Sequence, residues 1–146
     1  MRTTTRRTSR ALAMTALAAC GLTGLGAVPA AASGEVLLPH PGPEGLVWVQ
    51  EWTGDGGVVS AGVWESLPTV LTVACEGGGD VRVTMQSQGT EVAAFSVDCP
   101  AGEAGEAGVG SVSMDPGVVR AGSFQVAVDA SADNIRWALT VTQPES

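Results

Sequence analysis

Alternation of apolar and polar residues with a period of two is the pattern that most restricts how this chain can fold. It is clean in five segments, which glycine separates at short intervals, and no stretch has a convincing 3.6-residue period. One apolar and one polar face per strand is typical of antiparallel sheets packed on a shared core. The pattern predicts an all-β fold, an antiparallel β-sandwich or jelly roll. The five inward rows are Leu71, Val73 and Cys75; Val81, Val83 and Met85; Ala93, Phe95, Val97 and Cys99; Phe124, Val126 and Val128; and Ile135, Trp137, Leu139 and Val141.

Turn residues divide the sandwich into about eight strands. We predict them near 46–53, 57–64, 69–76, 80–87, 91–99, 108–114, 122–130 and 134–142. The third and fourth are joined by VACEGGGDVRV at 73–83, where three glycines lie between Glu76 and Asp80. The spacing predicts a glycine-containing hairpin loop with two solvated acids rather than a calcium site.

The N-terminus has the pattern of a secretory signal peptide over residues 1–32. Four arginines precede an apolar run, and small residues at Ala30 and Ala32 complete a cleavage signal. We expect cleavage after Ala32, and therefore secretion with no transmembrane span in the mature chain. The alternative is a lipid anchor at Cys20, because Leu17–Gly21 has the form of a lipobox.

The mature chain is predicted to comprise an extended lead-in at 33–45 and a β-sandwich domain at 46–146. All 15 acidic residues lie at or after Glu35, whereas only 3 of the 7 basic residues do, so its net charge is 3 − 15 = −12. A surface this acidic repels nucleic acid, which we exclude as a partner.

The two cysteines that remain after leader removal, Cys75 and Cys99, are predicted to form a disulfide. Both are on the inward faces of their strands. In a flat three-strand meander they would be about 9.6 Å apart, whereas a disulfide needs Cα atoms within about 7 Å. The bond therefore either joins two facing sheets or requires the fifth strand to pair directly with the third.

The mature residues offer little for catalysis. His40 is the only histidine, and lysine and tyrosine are absent after the leader. A nucleophile needs a neighbouring base, and zinc needs imidazole or thiolate ligands. We predict that the chain is not an enzyme and has no cofactor or metal. A hydrolase that uses a pair of carboxylates is the remaining catalytic alternative.

Tryptophans are concentrated in the first two predicted strands. In VWVQEWT, Trp48, Gln50 and Trp52 alternate with valines, which places two indoles about 13 Å apart on one face. If that face is exposed, the three residues form a carbohydrate-binding site. The interpretation we favour is structural, with both indoles packed at the core or against the N-terminal strand, because large aromatics usually occupy the most buried positions. Trp137 is predicted to be in the core.

The segments LTVACEGGGDVRV, FSVDCP and RWALTV, with the polar tail that follows them, resemble small exported β-sandwich proteins of actinobacteria, which are mostly uncharacterised. The resemblance implies location and fold and transfers no site residue. From the residues we expect an exported non-catalytic extracellular or envelope-associated protein that binds or displays something. The residues do not identify its partner, for which a glycan and an extracellular protein are the candidates. The alternatives are a carbohydrate-binding module and the hydrolase.

Overall fold

The computed structural model describes residues 36–101 and 106–145. The predicted signal peptide and Cys20 lie outside these residues. A 3₁₀ turn at Gly42–Glu44 precedes eight strands, close to the predicted ones. The strands are β1 Gly45–Thr53, β2 Gly56–Ser60, β3 Thr69–Glu76, β4 Asp80–Ser87, β5 Thr90–Asp98, β6 Gly108–Met114, β7 Phe124–Ala130 and β8 Arg136–Thr142.

The strands form two four-stranded sheets, ordered β1-β8-β3-β6 and β2-β7-β4-β5. All neighbours are antiparallel. The pairs β1–β8, β2–β7, β3–β6 and β4–β5 are nested, so the chain folds back on itself as one long double ribbon wound over two sheets. This is the jelly-roll arrangement, and it confirms the predicted fold class.

The core lies between the sheets and is made of the inward rows. Leu71, Trp137 and Leu139 come from the first sheet and Val83 and Met85 from the second, and each is at most 1% exposed. Burial on this scale, at roughly 1.5–3 kcal/mol for each large apolar side chain, is the main favourable contribution to folding. The prediction of Trp137 as a core residue is therefore confirmed.

The glycines between β3 and β4 do not form the hairpin that the sequence predicts. β3 belongs to the first sheet and β4 to the second, so residues 77–79 cross from one sheet to the other. The amides of Gly77 and Gly78 donate to the carbonyl oxygen of Pro100, at 2.9 and 3.2 Å, which ties the crossing to the chain beside the disulfide. Gly79 has a φ of 80°, and a Cβ added there would overlap the Ser131 hydroxyl. Glycine is required by this crossing rather than by a two-stranded turn.

The predicted Cys75–Cys99 disulfide is confirmed, and it joins the two sheets. Cys75 lies on β3, Cys99 directly follows β5, and their Cα atoms are 5.1 Å apart. Of the two arrangements left open by the sequence, the bridge between facing sheets is the one observed. Both side chains are buried, so the bond is part of the core.

The lead-in packs on the outer face of the first sheet. Residues 36–41 form neither helix nor strand, and Leu38 is buried in a small cluster with Ala74 and Ala138. These two alanines are directly opposite each other on β3 and β8, on the side that faces away from the core. Their small side chains allow the backbone of the lead-in to approach closely.

Candidate binding surface

The four tryptophans differ in how their indoles are held, and the difference identifies the candidate site. Trp137 is buried, Trp48 is partly buried, and Trp52 and Trp64 are 53% and 69% exposed. Three of the indole N–H groups donate to main-chain oxygens, those of Trp48 to Leu38, Trp52 to Asp55 and Trp137 to Gly54. The indole N–H of Trp64 donates to no group in residues 36–101 and 106–145. Trp64 is thus the indole that is both most exposed and unpartnered.

Trp48 and Trp52 do not share a face, contrary to the expectation from VWVQEWT. Trp48 is opposite Thr140 on β8, whereas Trp52 is opposite the core residue Trp137. From Val49 to Trp52 the chain advances three residues while β8 advances two, so β1 is bulged there. A bulge shifts the alternation by one residue, and Gln50 lies in this bulge with an exposed side chain. The structure therefore does not bring the predicted carbohydrate-site residues together on one surface.

Trp48 holds the lead-in against the first sheet. Its indole N–H donates to the Leu38 carbonyl at 3.1 Å, and its ring meets the His40 ring edge-on with centroids 4.8 Å apart. His40 Nδ1 in turn accepts a hydrogen bond from the Gly42 amide at 3.0 Å. The single histidine of the sequence is therefore engaged in this local structure.

Trp52 lies at the edge between the two sheets. A Cβ at Gly56 on β2 would be 2.6 Å from the Trp52 Nε1 and 3.1 Å from the Trp137 ring, so the glycine makes room for both indoles. The neighbouring Asp55 carboxylate accepts a hydrogen bond from the Ala130 amide at 2.7 Å. Trp52 covers one end of the core while half of its surface stays exposed.

Trp64 lies outside β2, which ends at Ser60 rather than at 64 as predicted. Its main chain is fixed instead by the side chain of Gln143, which follows β8. The Trp64 amide donates to Gln143 Oε1 and the Trp64 carbonyl accepts from Nε2, both at 2.9 Å. Gln143 Nε2 also donates to the Thr69 hydroxyl at 3.0 Å. This doubly bonded clamp holds the backbone beneath the exposed indole.

The backbone of Gln143 connects the same region to the lead-in. Its amide donates to the Glu44 carbonyl at 2.9 Å, which places the 3₁₀ turn beside Trp64. The result is a pocket of about 280 Å³, hereafter the Trp64 pocket. It is lined by Trp64 and Gln143, by the apolar residues Pro43, Leu46 and Leu67, and by the acidic residues Glu44 and Glu145.

A second hollow also includes Trp64, together with Val63, Glu65 and Ala121. The Glu65 carboxylate accepts a hydrogen bond from the Ala121 amide at 2.7 Å and pairs with the Arg120 guanidinium at 3.4 Å. The amide hydrogen bond, helped by Arg120, lowers the pKa of Glu65. Glu65 is thus committed to fixing the 120–121 segment next to Trp64.

Glu76, which precedes the glycine crossing, is engaged in the scaffold. The Glu76 carboxylate accepts two hydrogen bonds from the Arg136 guanidinium, at 2.7 and 3.0 Å, and Glu51 accepts a third at 2.9 Å. These bonds, above all those that Arg136 donates to Glu76, raise the pKa of Arg136. Within residues 36–101 and 106–145, no three His, Cys, Asp or Glu side chains are grouped so as to hold a metal ion.

Trp64 and Gln143 were not singled out as site residues by the sequence, although a signal for Gln143 was present. It continues the inward row of Ile135, Trp137, Leu139 and Val141 by one more step of two. A polar side chain at such a position must be hydrogen-bonded when buried, and Gln143 is only 4% exposed. What it binds depends on the path of residues 61–68, which the alternation does not determine.

Comparison with protein-family models and with curated proteins finds no match for the chain. No helix among the described residues has the length and apolarity needed to cross a bilayer.

Proposed function

We propose that this chain is an exported, non-catalytic binding protein whose ligand site is the Trp64 pocket. The observation that carries the proposal is the Trp64 indole, which is 69% exposed and stands on a backbone clamped by Gln143. Its ring N–H has no acceptor among the described residues. Aromatic side chains with a polar group are favoured at recognition surfaces. A backbone fixed before binding also reduces the entropy that a ligand must overcome.

The carboxylates of the pocket suit binding better than hydrolysis. Glu44 and Glu145 are both exposed. The carboxyl acid of a glycosidase needs the opposite, an apolar setting. The two acidic side chains instead supply negative charge for a ligand.

Export follows from the N-terminal pattern and agrees with a disulfide in the core. We expect mass spectrometry of the protein from its own cells to find a free N-terminus near Ser33. A lipid-modified Cys20 as the first residue would show instead that the protein is anchored to the membrane.

Affinity capture tests the role of Trp64. The protein and two variants, Trp64→Ala and Trp52→Ala, are immobilised and exposed to envelope extract and culture fluid of the producing organism. We expect the native protein and Trp52→Ala to retain the same molecule and Trp64→Ala to lose at least nine-tenths of it. Equal retention by Trp64→Ala, or no retained molecule at all, would contradict the proposal.

Carbohydrate binding through Trp52 is a second candidate, because that indole is 53% exposed. It predicts the reverse result in the same experiment, since Trp52→Ala would then lose the retained molecule and Trp64→Ala would keep it. The partner indole expected for this site, Trp48, is on the other side of the sheet and is occupied by the lead-in.

A further inference from the structure

We propose that the Trp64 pocket takes a cationic side chain, arginine or lysine, presented by a basic segment of another polypeptide. The inference rests on the proposed function, since it names the ligand of the same site. It follows from three properties of the pocket, which are its charge, its apolar floor and its exposed aromatic ring.

The charge of the pocket is negative and is not balanced by any residue that the structure describes. Neither Glu44 nor Glu145 makes a side-chain hydrogen bond or ion pair with another described residue, and no basic side chain lines the pocket. Each arginine in the described residues is next to a carboxylate elsewhere. Arg82 is opposite Asp129 in the second sheet, Arg120 pairs with Glu65, and Arg136 pairs with Glu51 and Glu76.

A long basic side chain matches the rest of the pocket. Lysine and arginine carry an aliphatic stem and a charged end, and they bury the stem on apolar surface while the charge stays at the rim. Pro43, Leu46 and Leu67 provide such a surface, and Glu44 and Glu145 provide the acidic partners. A small inorganic cation would leave the apolar part of the pocket unused.

The indole adds an attraction that is specific for cations. A positive group over the face of a tryptophan is attracted by the ring, and guanidinium also stacks on it. Because Gln143 fixes the Trp64 backbone, the ring is presented from a defined position.

The second hollow, which shares Trp64 with the pocket, favours a polypeptide over a free amine. An extended segment can place one side chain in the Trp64 pocket and continue past Trp64 to the hollow that Val63 and Ala121 line. The net charge of −12 for the mature chain attracts a basic segment at long range.

The test is an NMR titration that follows the four indole N–H signals, with that of Trp64 assigned from Trp64→Phe. The probes are a hexapeptide of alternating glycine and arginine, the same peptide with citrulline in place of arginine, choline, and chitohexaose. We expect the arginine peptide to shift the Trp64 signal, and to do so with at least tenfold higher affinity than the citrulline peptide. The difference in affinity between the two peptides should become smaller as salt is added, because exposed charges are screened.

Charge-matched variants locate the cation. We expect the double variant Glu44→Gln/Glu145→Gln to bind the arginine peptide with at least fivefold lower affinity. The control Glu91→Gln/Glu106→Gln removes two exposed acids elsewhere, and its affinity should fall less than twofold. Equal losses in the two double variants would overturn the proposal, as would equal affinity for the citrulline peptide.

The remaining outcomes separate this inference from the proposed function. A Trp64 shift with chitohexaose or with choline, and none with the arginine peptide, would refute a polypeptide cation while leaving Trp64 as a ligand site. If no probe shifts Trp64, the cation proposal fails, and the capture experiment with Trp64→Ala still decides whether the pocket binds anything.

Discussion

Replacing both Cys75 and Cys99 with alanine is expected to lower the free energy of unfolding by about 3–5 kcal/mol. The two residues are 24 apart in sequence, and closing a loop of this length in the unfolded chain contributes about 3.5 kcal/mol on the chain-entropy relation. Both side chains are buried, so a small loss of packing is added. Urea unfolding, followed by tryptophan fluorescence, measures the change.

The location of the disulfide means that its loss destabilises both sheets. Cys75 is opposite Trp137 in the first sheet, and Cys99 leads from the second sheet to the carbonyl of Pro100, which anchors the glycine crossing. The matched control is the native protein unfolded in the presence of a thiol reductant. Its free energy of unfolding should fall by a similar amount. A loss below about 1 kcal/mol in both would show that the unfolded chain gains little freedom when the bond is absent.

The alternation of the sequence predicted the strands well because it records a property of each strand by itself. A residue that faces the core is apolar wherever the strand is placed, and so the rows of β3, β4, β7 and β8 were found. Which strands are neighbours is a different matter, since it depends on contacts between distant segments. Three glycines after Cys75 are compatible with a hairpin and with a crossing between sheets, and only the packing of the core decides between them.

The inward-facing positions of Cys75 and Cys99 did restrict which strands could be neighbours. They required either a bond between facing sheets or direct pairing of the fifth strand with the third, and the first is observed. The even spacing of Trp48 and Trp52 predicted wrongly that they share a face. The bulge after Val49 separates them, and it has no local marker in the sequence such as glycine or proline.

The end of β2 was misplaced for a related reason. Valine and tryptophan are both enriched in β-strands, which is why the strand was extended to Val63 and Trp64. Val63 is indeed buried in the core. However, the Trp64 main chain is hydrogen-bonded to the side chain of Gln143 instead of to a neighbouring strand. A side chain from residue 143 that replaces a strand partner is invisible to any pattern within residues 57–64.

Replacing Gln143 with alanine is expected to lower the free energy of unfolding by about 2–4 kcal/mol, because each buried polar group left unpaired costs about 1–3 kcal/mol. The substitution removes the partners of the Trp64 amide, the Trp64 carbonyl and the Thr69 hydroxyl, and Thr69 is only 1% exposed. Water can reach the exposed loop and recover part of the loss, so the expected value is below the sum of three unpaired groups. Urea unfolding measures it.

Gln143→Met separates the hydrogen bonds from the packing, since methionine has a similar length and fills the same space without polar atoms. If the clamp acts through its hydrogen bonds, methionine should recover less than half of the stability lost in the alanine variant. Both variants should also bind the ligand retained by the native protein with lower affinity. The indole of Trp64 then stands on a mobile backbone, and binding must order that backbone. A variant that unfolds more easily but keeps full affinity would mean that Trp64 does not depend on Gln143 for its position.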